Sequence, residues 1–186
     1  SAIGFYGDTG DQSVDESSPA GTGFLADVVQ AWEGAAQPAI DAGIRTVHPR
    51  TGLVVSSQGG AWEKLFPIFR LGLGGRLGDG RQYWSWISLR DEIAALTYLL
   101  DEPSLAGAVN LTGPEPCTNS EITAAMRRVL GRPAILPVPS FALKAVLGEF
   151  STEVLSSARV LPGALTSAGF SWLDTTVESA IRAAAA

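Results

Sequence analysis

Residues 1–8 read SAIGFYGD, and the fold is decided by what that stretch feeds. A short apolar run with aromatics that closes on Gly7 and Asp8 predicts a buried strand delivering its end to a functional loop. The next segment, DTGDQSVDESSPAGTG (8–23), is dense in Gly, Ser, Asp and Pro and predicts a long exposed loop. From Phe24 onward, Phe24, Val28, Ala31, Trp32, Ala35 and Ala39 recur at helical spacing. They predict a helix to about Ala42 with that face turned inward, a kink at Pro38 and a stop at Gly43. IRTVHPRTGLVVS (44–56) is rich in branched residues and reads as a strand interrupted by Pro49. Strand, helix, strand at this spacing is a βαβ unit, and a βαβ unit implies a parallel sheet.

The pattern continues outward from there. A helix is predicted over about Ala61–Leu71, then the glycine run GLGGRLGDG (72–80). YWSWIS (83–88) follows as a strand with Trp84, Trp86 and Ser88 on one side. Ser88 with Asp91 three residues later is a capping box, opening a helix whose buried face is Ile93, Leu96, Thr97, Leu99 and Leu100, ended by Pro103. GAVNLTG (107–113) is a short buried strand. Thr118 and Glu121 form a second capping box for a helix that runs through Leu130 to Gly131. Prolines and short helical patterns from Arg132 onward predict a small, mostly helical end region with a last helix near Thr175–Ala185.

Composition narrows the function. With 46% hydrophobic and 17% charged residues among 186, the chain can bury a sizeable core. A net charge of −6, with lysine only at Lys64 and Lys144, argues against nucleic acid as a partner. Cys117 is the sole cysteine, so neither an intrachain disulfide nor a cysteine-rich metal site is expected. That usage suits a reducing compartment, and no stretch has the apolar length of a membrane span. The expectation is a cytoplasmic protein without a membrane partner.

Few residues are placed for chemistry. The glycine run contains neither G-x-G-x-x-G nor a P-loop, and it lies between a helix and a strand, the wrong order for cradling phosphate. Asp8, Asp11, Asp15 and Glu16 fit no calcium loop and read as a solvated segment. His48 is the one histidine, and no G-x-S-x-G elbow exists to build a triad with it. Asp91 and Glu121 are explained as helix caps. Trp84 and Trp86, beside the glycine run, are placed to stack on a sugar or base or to fill a core. Arg76 and Arg81 flank that run, where they read as solvated cations or as binders of an anionic group.

Taken in order, SAIGFYGD, DESSP, RTGLVVS, WSWISLRDEIAALTYLL and GAVNLTGPEPCTNSEI resemble the second half of an extended short-chain dehydrogenase/reductase. They resemble most its NAD-dependent epimerase/dehydratase-like branch, the sugar-nucleotide epimerase family. RPAILPVPSFALKAVLGEFSTEVLSSARVLPGALTSAGFSW (132–172) resembles that branch's end region, a domain of unknown function. The resemblance implies an α/β fold: the C-terminal half of a Rossmann-type parallel sheet, over residues 1–116, and a small, mostly helical substrate-side region over 117–186. It implies NAD or NADP across the carboxyl ends of the strands, with a nucleotide-sugar-like or other small polar substrate above it. Ser1 and Tyr6 then lie beside the reacting centre. His48, Arg50, Thr51, Gly52 and Leu53 line the nicotinamide, and Arg76, Trp84 and Trp86 lie on the substrate side.

Two departures qualify that resemblance. The half bearing the glycine fingerprint, on the order of 100 residues, is not in this sequence, so tight dinucleotide binding needs a missing N-terminal half or a partner chain. The family's Tyr-x-x-x-Lys pair is also absent: Tyr6, Tyr83 and Tyr98 are followed four places on by Gly10, Ile87 and Glu102. Tyr6 is left as the first candidate for acid-base work, with Asp8 and His48 behind it. The alternative is a catalytically inactive cofactor-binding sensor or scaffold of the same fold.

Overall fold

In a computed structural model of the chain, which describes residues 1–139, 141 and 154–186, strand β2 (Val47–Thr51) pairs in parallel with β6 (Gly107–Leu111), from Val47 opposite Gly107 to Thr51 opposite Leu111. Ala2 forms a parallel bridge to Thr51 on the other edge of β2. A second parallel pair, β3 (Leu53–Val55) with β5 (Trp86–Ser88), continues beyond it. The pair β4 (Tyr83–Trp84) with β7 (Cys117–Thr118) is antiparallel, and β1 (Ser13–Val14) with β8 (Arg159–Val160) is parallel. Helices α1 (Phe24–Gly34), α2 (Gln37–Asp41), α3 (Gly60–Arg70), α4 (Leu89–Asp101), α5 (Asn119–Leu130), α6 (Gly163–Ser167) and α7 (Val177–Ala185) surround them. The chain is a mixed α/β fold built on parallel strand pairs.

Because side chains alternate across a strand, Arg50 and Thr51 leave β2 on opposite faces, Arg50 toward α1 and Thr51 toward α4. The core divides accordingly. Ile87, Leu99, Val109, Leu111 and Leu165 belong to one cluster; Trp62, Phe66, Trp86, Met126 and Ile181 belong to another. Each such side chain contributes about 1.5–3 kcal/mol by leaving water.

Most helix signals work as the sequence predicts, although Asp91 does not complete a capping box by accepting from the Ser88 amide. Ser88 caps α4, Thr118 and Glu121 form a complete capping box on α5, and Gly131 closes α5 in the left-handed conformation. Gly107 to Leu111 is a strand, and the last helix begins at Val177.

Other expectations are corrected. The opening is a 3-10 turn (Ile3–Tyr6) rather than a strand. The loop after it folds back so closely that a Cβ on Gly21 would lie 2.0 Å from the Tyr6 carbonyl oxygen, and Gly21 N–H donates to the Phe5 carbonyl. That loop also contains β1. The predicted long helix is two helices, and its predicted face points outward: Phe24 is 78% exposed and Trp32 62%, while Ala26 and Val29 are buried. Both sides of α1 are apolar, so periodicity could not choose between them. Glu33, drawn to Arg50, does.

The strand at 44–56 breaks at Gly52 rather than at Pro49. Proline is tolerated in β2 because its missing N–H is no loss on one side of an edge strand. Gly52 is where the chain passes close to its neighbours: a Cβ there would lie 2.5 Å from the Ser85 carbonyl oxygen. The strand at 83–88 is likewise split at Ser85, whose hydroxyl donates to the Ala158 carbonyl (2.7 Å) and accepts from Val160 N–H (2.8 Å). In α4 the inward residues are Asp91, Glu92, Ala95 and Leu99, whereas Ile93, Leu96 and Leu100 face outward. The short helical patterns read after Arg132 fall largely on residues 140 and 142–153, outside the described ones.

Candidate functional site

Arg50 organises the α1 side of the site. Its guanidinium is almost wholly buried and donates twice to Glu33, Nε to Oε1 and Nη2 to Oε2, both at 2.8 Å. Nη1 donates to the Tyr6 hydroxyl at 2.9 Å, and the guanidinium carbon lies 3.4 Å above the centre of the Phe5 ring. The Tyr6 hydroxyl in turn donates to Asn110 Oδ1 at 2.8 Å. Asn110 N–H donates to Glu16, and Ser1 Oγ donates to Glu33 Oε1 at 2.6 Å. The turn, α1, β2, β6 and the 8–23 loop therefore converge on one cation.

The electrostatics follow from that geometry. Burial acts to raise the Glu33 carboxyl, but hydrogen bonds from Arg50 and Ser1 outweigh it and hold the carboxyl below its ordinary range. Burial disfavours the charged Arg50, yet Glu33 and Tyr6 keep it firmly protonated. Burial pushes the Tyr6 phenol up despite the neighbouring guanidinium. With 4% exposure and both hydroxyl directions used internally, Tyr6 is a protonated structural phenol in this chain. Its expected acid-base role is corrected on that ground.

On the α4 side, Thr51 Oγ1 donates to Glu92 Oε1 at 2.8 Å. Glu92 is 7% exposed, its Oε2 has no hydrogen-bond partner, and burial raises its carboxyl. Beyond Thr51 the amides are spoken for: Thr51 N–H donates to the Ser1 carbonyl, Gly52 N–H to Leu111 and Leu53 N–H to Ser85. Thr51 Oγ1 keeps its lone pairs, so the end of β2 offers acceptors rather than free donors.

The structure gathers Ser1, Tyr6, His48, Arg50, Thr51, Gly52 and Leu53 on or beside β2. Arg76, Trp84 and Trp86 are not part of that group. Trp86 is 1% exposed, sits in the core against Gly113 and donates its indole N–H to the Glu115 carbonyl; Trp84 is buried beside it. Neither ring presents a face for stacking, which corrects that expectation. Arg76 is exposed, in a glycine run that packs closely: a Cβ on Gly75 would lie 1.8 Å from the Leu136 carbonyl oxygen.

Sequence reasoning missed Glu33, Asn110 and Glu92; of these only Asn110 stands out as the one polar residue of an apolar element, whereas Glu33 and Glu92 sit in helices with other polar residues. Asp91 is more than a cap, since its carboxylate also accepts from the amides of Leu173 (2.7 Å) and Asp174 (3.0 Å), fastening the C-terminal segment to α4. A groove of about 510 Å³ between α5 and α7 is lined by Trp86, Cys117, Arg128, Glu178 and Arg182 and by none of the residues around Arg50.

Residues 138–184 match a family model described as a domain of unknown function, DUF1731. An epimerase family protein of Mycobacterium leprae is 49% identical over 182 residues, 97% of this chain and 59% of that protein. The crystal structure of human epimerase family protein SDR39U1 with NADPH superposes with a TM-score of 0.93 at 31% identity, covering 100% of this chain and 63% of that one. By these likenesses the chain is similar to atypical, epimerase-like proteins of the short-chain dehydrogenase/reductase type. A nucleoside-diphosphate sugar epimerase from Corynebacterium glutamicum is similar as well, with a TM-score of 0.79 and 33% identity over 97% of this chain and 35% of that one. The epimerase-like chain spans about 60% of the length of the curated mycobacterial relatives it matches. Among the described residues, no helix is long and apolar enough to cross a membrane.

Proposed function

We propose that this chain supplies the nicotinamide- and substrate-facing part of an NAD(P)-binding, epimerase-like protein acting on a nucleotide-sugar-like or other small polar molecule. The observation that carries the reading is the seating of Ser1–Ala2 on Thr51 at the carboxyl ends of parallel β2 and β6, the place where open α/β sheets hold their ligands. The NADPH in the similar human structure supports it.

The residues present fit the group in part. Thr51 Oγ1 retains acceptor capacity suited to a carboxamide N–H, and the acidic Glu92 behind it fixes the hydroxyl's direction. A nicotinamide, when bound, supplies hydride acceptance or donation. The sequence offers no G-x-G-x-x-G turn to cradle its pyrophosphate. The cofactor's grip therefore belongs to further polypeptide, either an N-terminal half or a partner chain.

A second reading, a cofactor-binding protein without turnover, is favoured by one observation. Tyr-x-x-x-Lys is absent, and the remaining candidate, Tyr6, is buried with its hydroxyl bonded on both sides. NADPH and NADH titration of the longer protein, followed by fluorescence, tests the shared premise. Micromolar binding by the longer protein and none by residues 1–186 alone is expected; no binding by either refutes it. Hydride transfer to or from nucleotide sugars then separates enzyme from sensor.

A further inference from the structure

Arg159 keeps empty the edge with which two other arginines of this chain grip carboxylates. Arg50 and Arg90 each donate from Nε and Nη2 to the two oxygens of one carboxylate, Glu33 and Asp174 respectively. That edge of a guanidinium is a planar fork matched to a carboxylate or a phosphate. Arg159 spends only Nη1, on the Asp11 carbonyl at 3.2 Å. Its Nε is closed to water without a hydrogen-bond partner, and among the described residues Nη2 makes no hydrogen bond and no carboxylate pairs with it. A buried N–H left unmade is costly and uncommon. Acid is not lacking nearby, but it is engaged elsewhere. Asp8 accepts from the Gly10 and Ser157 amides, Asp15 from Ser17, and Glu16 from the Asn110 amide.

The fold holds this cation at the ligand end of the sheet. Arg159 and Val160 pair with Ser13 and Val14 of β1, and Ala158 bridges Trp84 of β4. Asn110 Nδ2 donates to the Leu161 carbonyl at 3.0 Å and Thr112 Oγ1 to that of Val160, so the segment crosses the carboxyl end of β6. Val160 is fully buried, and alternation along the strand turns Arg159 to the opposite, outward face. There its guanidinium carbon lies 4.7 Å from the centre of the Tyr83 ring. Its backbone N–H donates to Thr9 Oγ1 at 3.0 Å, which fixes the base of the side chain. The Tyr83 hydroxyl makes no hydrogen bond among the described residues, so no polar tie holds the ring in place.

We propose that the Nε–Nη2 edge of Arg159, with Tyr83 stacked on its face, binds an oxyanion, phosphate or carboxylate, carried by the substrate. The proposal rests on the reading that ligand lies over the carboxyl ends of β2 and β6. An anion that meets Nη2 gains Nε by a small outward swing of the Tyr83 ring. The phosphates of a nicotinamide dinucleotide are the other source of such an anion. Position favours the substrate, because Arg159 lies past β6, whereas the Ser1–Ala2 seat is on the opposite edge of β2.

The test follows the arginine Nε–H signals of the longer protein, isotope-labelled at arginine nitrogen, by NMR, with inorganic pyrophosphate and malonate as probes. The signal lost in Arg159→Lys identifies Arg159. Saturable displacement of that signal by at least one probe, with the Arg50 and Arg90 signals unmoved, is expected. Arg159→Gln should bind that probe at least about tenfold more weakly, and Arg159→Lys at least about fivefold, because a point charge does not replace a fork. No displacement by either probe overturns the proposal, as does a lysine variant that binds like wild type. So does a lowered urea midpoint in Arg159→Gln with anion binding unchanged, which leaves Arg159 a structural strut. Each titration is repeated with saturating NADPH. If NADPH alone displaces the signal and the probes then add nothing, the anion is the cofactor's and the substrate assignment falls. A probe-displaced Arg159 in a protein that binds no nicotinamide refutes the proposed function alone, and nicotinamide binding with Arg159 unmoved by either probe refutes this inference alone.

Discussion

Glu33 on α1 and Arg50 on β2 meet in a two-bonded ion pair, 2.8 Å at each contact, that is nearly closed to water. Such a pair contributes little over an apolar substitute, but breaking it strands a buried charge. Glu33→Ala is therefore expected to cost about 3–5 kcal/mol, read by urea unfolding. Because Glu33's carboxyl is held below its unfolded value, its contribution is present above the ordinary glutamate range and is lost as pH falls through the folded value. The stability gap between wild type and Glu33→Gln should narrow in acid; a gap independent of pH would contradict the pair's role.

Tyr6→Phe removes a hydroxyl that joins Arg50 Nη1 to Asn110 Oδ1 and leaves both short of a partner. A loss of about 1–3 kcal/mol is expected. Nicotinamide affinity of the longer protein should change by less than about twofold, since the phenol faces inward. A large loss of affinity at unchanged stability would restore Tyr6 to the ligand site.

Gly52→Ala places a methyl group 2.5 Å from the Ser85 carbonyl oxygen and 3.2 Å from that of Leu111. Backbone on both sides cannot yield cheaply, and a destabilisation above about 2 kcal/mol is expected from overpacking. Thermal melting of the variant beside Gly59→Ala, where a Cβ meets nothing within 4 Å, checks it.

Glu92 has the opposite sign to Glu33. Burial raises its folded value above the unfolded one, so its favourable contribution is full below about pH 4.3 and is lost as pH rises through the folded value. Glu92→Gln should therefore gain stability relative to wild type with increasing pH, measured as the difference in urea midpoint across pH 4–8. A constant difference would show that Glu92 titrates in the folded chain as it does in the unfolded one.

Local chemistry was legible wherever the decision was local. Thr118 with Glu121, Ser88 before its helix, Gly131 after one and the branched strand at Gly107–Leu111 each state their structure within a few residues, because caps and turns are satisfied by near neighbours. The parallel arrangement followed from the order of elements. What spacing could not decide was which face turns inward. Helices α1 and α4 both carry apolar residues on two sides, and most of the predicted face of each lies in solvent, with Leu99 the buried exception in α4. The choice was made by pairs distant in sequence: Glu33 with Arg50 for α1, and Glu92 with Thr51 and Asp91 with Leu173 and Asp174 for α4.

The same division runs through the site. By itself the sequence determined the class of fold, the family resemblance and the residues along β2, because these depend on composition, order and motif. Only the tertiary structure decided what those residues do. It turned Tyr6 from an acid-base candidate into a buried strut and the two tryptophans into core. It also exposed Glu92 as a half-satisfied acid beside an uncovered helix face. The physical reason is that burial and hydrogen-bond satisfaction are properties of a residue's neighbours in space, and the chain brings those neighbours from 17 to 104 positions away.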